Sequence, residues 1–253
     1  VLGDDASDRA ATKEEVAQMK ALVREAMEAG ACGFATSTLE QHNGENGIPM
    51  PSRLADEHEM MELTGVLGEV GKGSFMLTKG MTSTIPWLES IAANNGRPVM
   101  IAAMFVDPGD PERVFREQAE ITKANERGRE LWSQVGCFPL GMEFTLAHPY
   151  PLEALIAWHA AIEAEGRDEF KRILADPDFR QTLKEEMKTA GVPNRFSSNN
   201  WDHMTIMAVH KPEHSNLVGK KVGHLARDAG QDPWDWFLDF GLADDLKTLF
   251  DVH

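Results

Sequence analysis

From Thr12 to Pro139, stretches with apolar residues at helical spacing alternate with short apolar runs. Strands separated by helices of about 10–17 residues build right-handed βαβ units around a parallel sheet. The first unit is the clearest. Thr12 followed by Glu15 forms a capping box, and Val16, Met19, Val23 and Met27 recur at helical spacing until Gly30 stops the run. Cys32-Gly33-Phe34-Ala35-Thr36-Ser37 follows, short and apolar enough for a buried parallel strand, and then a Gly- and Pro-rich loop at 43–52. Further helices are predicted over 55–70, 86–93 and 111–127, and strands over 75–78, 98–105 and 134–139. From Tyr150 the pattern turns to charge-rich helices at 152–165, 168–174 and 177–189 and a loop at 191–200. A β-like stretch at 203–210 and helices at 222–229 and 233–242 complete the chain, so this half reads as a lid or insertion.

Composition removes several classes of partner. Among 253 residues, 25 Lys and Arg stand against 41 Asp and Glu, a formal charge of −16. A phosphate backbone or an anionic bilayer would repel that surface, so no nucleic acid and no membrane partner is expected. The longest uncharged apolar stretch, near 99–106, falls short of the ~20 residues of a membrane span. No basic leader precedes it, and a cytoplasmic location is expected. Cys32 and Cys137 are the two cysteines, too few for a disulfide framework or a thiolate zinc cage. The ends, Val1-Leu2-Gly3-Asp4-Asp5 without a Met and Phe250-Asp251-Val252-His253 without a polar tail, predict a fragment.

No HxH, HExxH, GxSxG, P-loop or dinucleotide fingerprint occurs. In a parallel barrel the chemistry sits where strands end and loops begin, at the C-terminal face, which selects four residues. His42, in the loop after the first strand, suits substrate binding or proton transfer; the plain alternative is an exposed loop histidine. Lys79 ends Phe75-Met76-Leu77-Thr78-Lys79, where a lysine holds an anion or, carboxylated, bridges metals, unless it is a solvated cap. Cys137 closes the expected strand at 134–139 as a thiolate ligand or nucleophile, against a small buried hydrophobe. Glu143, just beyond, fits an acid, a base or a metal ligand, against a loop carboxylate. Catalysis is thus assigned to His42 and Glu143, and metal binding to Lys79 and Cys137. His210 and His214 have helical metal-pair spacing, but Pro212 between them breaks that geometry. Trp201, Trp234, Trp236, Phe237 and Phe240 lack an accompanying basic stripe and read as packing.

Several short runs carry a resemblance. They are Asp8-Arg9-Ala10-Ala11-Thr12, Gly33-Phe34-Ala35-Thr36-Ser37, Gly47-Ile48-Pro49-Met50-Pro51-Ser52, Gly96-Arg97-Pro98-Val99, Asp107-Pro108-Gly109-Asp110-Pro111, Cys137-Phe138-Pro139-Leu140 and Gly230-Gln231-Asp232-Pro233. In this order, with His42, they resemble N-acyl-D-amino-acid deacylases of the amidohydrolase superfamily. The resemblance implies an α/β fold, a partial (β/α)8 TIM-type barrel with a helical insertion or lid. Residues 1–149 would supply βα units, and 150–253 a mainly helical insertion and late barrel helices. It implies Zn²⁺ and hydrolysis of amide C–N bonds: metal-bound hydroxide attacks an acyl carbonyl and a carboxylate carries the proton to the leaving amine. The substrate would be a small-molecule amide such as an N-acyl-amino acid.

The family's HxH pair and catalytic Asp are not recognisable in this chain; they would lie before Val1 and beyond His253. Where relatives place middle-strand histidines, this chain has Ala102-Ala103-Met104 and Gly136-Cys137. Alanine cannot ligate, which leaves Cys137 as a soft ligand, a single-metal site, or altered chemistry. A degenerate barrel serving as a scaffold or binding subunit is the alternative reading, and a lyase or isomerase using the Lys79 amine a third. Open strand edges predict pairing with the remainder of the barrel or with a second chain in a homo-oligomer.

Overall fold

The computed structural model describes residues 1–40, 42–44, 48–106, 110–137, 141–153, 155–188 and 201–252. The expected loop at 191–200 and the run Phe138-Pro139-Leu140 lie outside them. Two compact units divide between Gly136 and Cys137: Val1–Gly44 with Ile48–Gly136, and Cys137–His253.

The first unit follows the alternation. α1 (Lys13–Glu28) starts at Thr12, whose hydroxyl accepts the Glu15 amide while the Glu15 carboxylate accepts the Thr12 amide, so the capping box forms. β1 (Gly33–Ser37), α2 (Glu57–Val70), β2 (Ser74–Thr78), α3 (Ile85–Asn95), β3 (Val99–Ala102), α4 (Arg113–Glu126) and β4 (Leu131–Ser133) follow. Side chains of Asp56 and Thr84 cap α2 and α3. Gly96, at φ +61°, ends α3 in the left-handed region.

The strands form one parallel sheet in the order β1-β2-β3-β4. The strand order is sequential, with a helix at each crossover and no reversal of direction. Phe34, Phe75, Val99 and Leu131 share a register row and pack with Met27, Leu67, Leu88, Ile91 and Ile121 of the helices. The alternate row, Ala35, Met76, Met100 and Trp132, takes no part in that core, and Trp132 is 57% exposed. The four strands are an open sheet.

The fourth strand corrects an expectation. It spans Leu131–Ser133, so the described residues 134–137 of the expected 134–139 lie beyond it: register with Val99–Ile101 selects the earlier residues while the more apolar Val135 is 72% exposed.

The second unit holds more sheet than its sequence predicts. β5 (Met142–Phe144), α5 (His159–Ile162), α6 (Arg167–Ala175), α7 (Pro177–Glu186), β6 (Met204–Ala208), α8 (Val222–Asp228), α9 (Pro233–Ala243) and β7 (Leu249–Val252) succeed one another. The strands pair antiparallel in the order β5-β7-β6. Phe144, Phe250 and Ile206 form one register row and Met142, Val252 and Met204 another. Both rows pack with Trp158, Trp201, Trp234 and Phe237. The aromatic residues are therefore core, as their lack of basic neighbours suggested.

The helix expected over 152–165 shrinks to a 3₁₀ turn at Tyr150–Leu152 and a single α-turn, α5. Buried Leu152, Leu155, Trp158 and Ala161 recur every three residues. The amides of Leu155, Trp158 and Ala161 each bond the carbonyl three residues back, the 3₁₀ pattern. The Glu186 carboxylate accepts the amides of Ile156 and Ala157 at 2.8 and 2.7 Å. A period of three, held by a carboxylate from α7, replaces 3.6. Among the described residues no helix is long and apolar enough to cross a membrane.

Candidate functional site at the strand ends of the first unit

Parallel strands leave unpaired backbone at their C-terminal ends, where the loops must find other partners. β1 ends on buried Ser37. Its Oγ accepts the Leu39 amide at 3.2 Å and lies 2.6 Å from His42 Nδ1. The loop is tied back by His42 N to Leu39 O at 3.0 Å, Met50 N to His42 O at 3.4 Å, and Ser52 Oγ to Ser37 O at 2.6 Å. Arg53 donates to Asn43. Burial, and then the positive charge of Arg53, pull His42 below the usual imidazole range, so the neutral ring is favoured.

The loop after β2 locks onto the loop after β1. Gly80 N donates to Thr38 Oγ1 at 3.0 Å, Thr38 Oγ1 and Ser83 Oγ are 2.7 Å apart, and Met81 N donates to Glu40 Oε1 at 2.8 Å. An added Cβ at Gly80 would stand 2.1 Å from the Thr38 carbonyl oxygen. Gly80→Ala should therefore cost about 2 kcal/mol and unseat both loops. Gly65→Ala, whose Cβ would meet only the Asn94 amide at 3.7 Å inside α2, should be neutral or gain up to about 1 kcal/mol. Urea denaturation of the pair checks this; equal stabilities would refute the close approach.

Lys79, one residue past β2, places Nζ 2.9 Å from Glu117 Oε1 of α4, and both side chains are mostly buried. A groove of about 320 Å³ opens beside them, lined in part by Met81, Pro86, Arg113 and Arg116. Arg113 Nη1 lies 3.1 Å from Met81 Sδ, and Arg116 Nη2 donates to Asp110 at 2.5 Å. Lys79 is thus paired with a carboxylate. At the end of β3, Met104 N bonds Gln134 O at 2.8 Å, and Ala102 and Ala103 bring no ligating atom.

His42 and Lys79 therefore share one edge of the first unit, joined through Thr38, Glu40, Gly80 and Met81. The other two candidates belong to the second unit. Cys137 is exposed and does not close β4, which ends at Ser133. Glu143 lies inside β5, in register with Asp251 of β7, and is exposed; it is not a loop residue. His210 and His214 form no metal pair: His214 Nδ1 is 3.2 Å from Asp244 Oδ1, and His210 gives its backbone amide to the same carboxylate. Among the described residues no group of three or more His, Cys, Asp or Glu side chains converges as a metal site. Sequence reasoning overlooked Ser37, Thr38 and Glu117. The first two stood at the polar close of an apolar strand; no local signal marked Glu117.

No protein-family model matches the sequence, and no curated protein does. Several solved structures are similar to this chain. One is the N-acyl-D-glutamate deacylase of Bordetella bronchiseptica, complexed with zinc and a phosphonate mimic of the tetrahedral intermediate: 18% identity over 97% of this chain and 39% of that one, TM-score 0.50. Two D-aminoacylase structures, one of them concerned with a binuclear metal centre, are 16% and 15% identical with TM-scores of 0.47 and 0.48. Each is likewise covered over 39% of its length by 97% of this chain. The chain thus spans about two fifths of these relatives.

Proposed function

We propose that this chain is part of a metal-dependent amidohydrolase that cleaves the C–N bond of N-acyl-amino acids or related small amides. The observation that carries the reading is a fold shared with an N-acyl-D-glutamate deacylase over 97% of the chain. Function still has to be argued from the site. His42 and Lys79 stand at the strand ends where barrel enzymes work. The groove beside the Lys79–Glu117 pair, with Arg113 and Arg116 in its lining, is the seat assigned to a substrate carboxylate, and His42 contacts the acyl group.

The deacylase of known structure holds zinc. The described residues here do not fit that ion: no cluster of ligands converges, and Lys79 is held by Glu117. The reading also takes the sheet for part of a TIM-type barrel, the second unit for its insertion, and the setting for the cytoplasm. The edges of β1 and β4 would be covered by further barrel strands or by a second copy in a homo-oligomer.

The test is amine release from a panel of N-acyl-D- and N-acyl-L-amino acids, with zinc supplied and its binding measured alongside. Release from at least one N-acyl class is expected. No release across the panel, with or without divalent metal, would sink the reading. A monodisperse monomer in light scattering counts against the covered edges.

A further inference from the structure

The hydrogen bonds around Ser37 decide which nitrogen of His42 carries its proton. A serine hydroxyl has one proton and two lone pairs. One lone pair accepts the Leu39 amide at 3.2 Å, and Nδ1 of His42 lies 2.6 Å away. Were Nδ1 protonated, the hydroxyl would receive two donors and its own proton would need another acceptor. Ser37 is 6% exposed, and among the described residues no other acceptor meets it. A buried donor without an acceptor is strongly disfavoured. The hydroxyl therefore donates to Nδ1. The single proton of a neutral imidazole then sits on Nε2, an atom with no partner among the described residues. Burial, and then the positive charge of Arg53, make a second proton on the ring less favourable.

We propose that Ser37 is a positioning residue that holds His42 as the Nε2–H tautomer, so that the ring meets an acyl substrate as a hydrogen-bond donor to a carbonyl or carboxylate oxygen. In this state His42 is neither a metal ligand nor a general base. Nδ1 is engaged by Ser37, and Nε2 offers a proton where a ligand or a base would need a lone pair. The identity of the ligand rests on the amidohydrolase reading; the tautomer does not.

Long-range proton–nitrogen NMR of the full chain with ¹⁵N-histidine reads the tautomer directly, with His42→Gln assigning the resonances among the nine histidines. The expected spectrum has a pyridine-like Nδ1 and a pyrrole-like Nε2 at neutral pH. Ser37→Ala should populate the Nδ1–H form and raise the pH at which the ring titrates. Ser37→Thr, which keeps the hydroxyl, should restore the wild-type pattern. A pyrrole-like Nδ1 in the wild type overturns the proposal, as does a tautomer balance that Ser37→Ala leaves unmoved. Should Ser37→Ala fail to fold, the wild-type spectrum and Ser37→Thr still decide. Because no substrate is present, failure of the amide panel leaves this result standing, and an Nδ1–H spectrum overturns it even if amides are cleaved.

Discussion

Phe237→Ala should destabilise the second unit by about 4 kcal/mol, the range for deleting a buried aromatic ring whose cavity cannot collapse. Phe237 is fully buried where α9 meets the antiparallel sheet. Its ring centroid lies 4.8 Å from Phe250, 5.6 Å from Trp201, 6.1 Å from Trp234 and 6.2 Å from Phe144. Two partners lie on strands β5 and β7, one on α9 itself, and Trp201 just before β6, so no single shift fills the void. Aromatic pairs in tilted and edge-on arrangements add about 0.5–1.5 kcal/mol beyond area burial. Phe237→Leu, which keeps much of the volume, should cost clearly less. Urea denaturation followed by tryptophan fluorescence measures both. A loss under about 1 kcal/mol for Phe237→Ala would mean the aromatic cluster does not hold the unit together.

How much could be read in advance depended on how local the cause was. The capping box at Thr12 and Glu15 and the strands expected at 32–37 and 75–78 follow from neighbouring residues, and the structure repeats them with small changes of boundary. β5 and β7 are short, three and four residues, and exist only because Met142–Phe144 meets Leu249–Val252 across a hundred residues of chain. Propensity has no access to such a pairing. The helix expected over 152–165 departs for a different reason: apolar spacing of three fits a helix loosely, and the choice of 3₁₀ geometry falls to Glu186, which lies far along the chain. The site divides in the same way. His42 and Lys79 are candidates because strand ends are a rule of the fold, and their positions at strand ends are all that the sequence makes legible. The partners that set their chemistry, Ser37 and Glu117, become visible only when distances are known. Cys137 lies four residues past the end of the strand expected to hold it, and Glu143 lies within a strand that forms only by long-range pairing.

Asp244 supplies the second large effect, and its sign with pH can be worked out. The side chain is fully buried. Its carboxylate accepts the backbone amides of His210 and Lys211 at 2.7 and 2.8 Å, the Thr248 hydroxyl at 2.7 Å, and lies 3.2 Å from His214 Nδ1. Burial pushes this carboxyl up, but the bonds from His210, Thr248, Lys211 and His214 outweigh it and hold the group below its usual range. A folded-state value below the unfolded one means the stabilisation is fully present above the ordinary carboxylate range. It is lost as pH falls through the depressed folded value. Asp244→Asn should cost about 3 kcal/mol at neutral pH, since it removes the charge and turns one acceptor into a donor facing backbone amides. It should also flatten the acid limb of the stability profile. Its neighbour is the control: Asp245 pairs with Arg167 and Lys171 at the surface, where screening weakens ion pairs. Its positive φ of 61° is one that Asn tolerates, so Asp245→Asn should change stability little. Urea midpoints of the two variants between pH 3 and pH 7 decide the matter: equal losses, or an acid limb unchanged in Asp244→Asn, would show that the buried carboxylate is not what ties the segment after β6 to the end of α9.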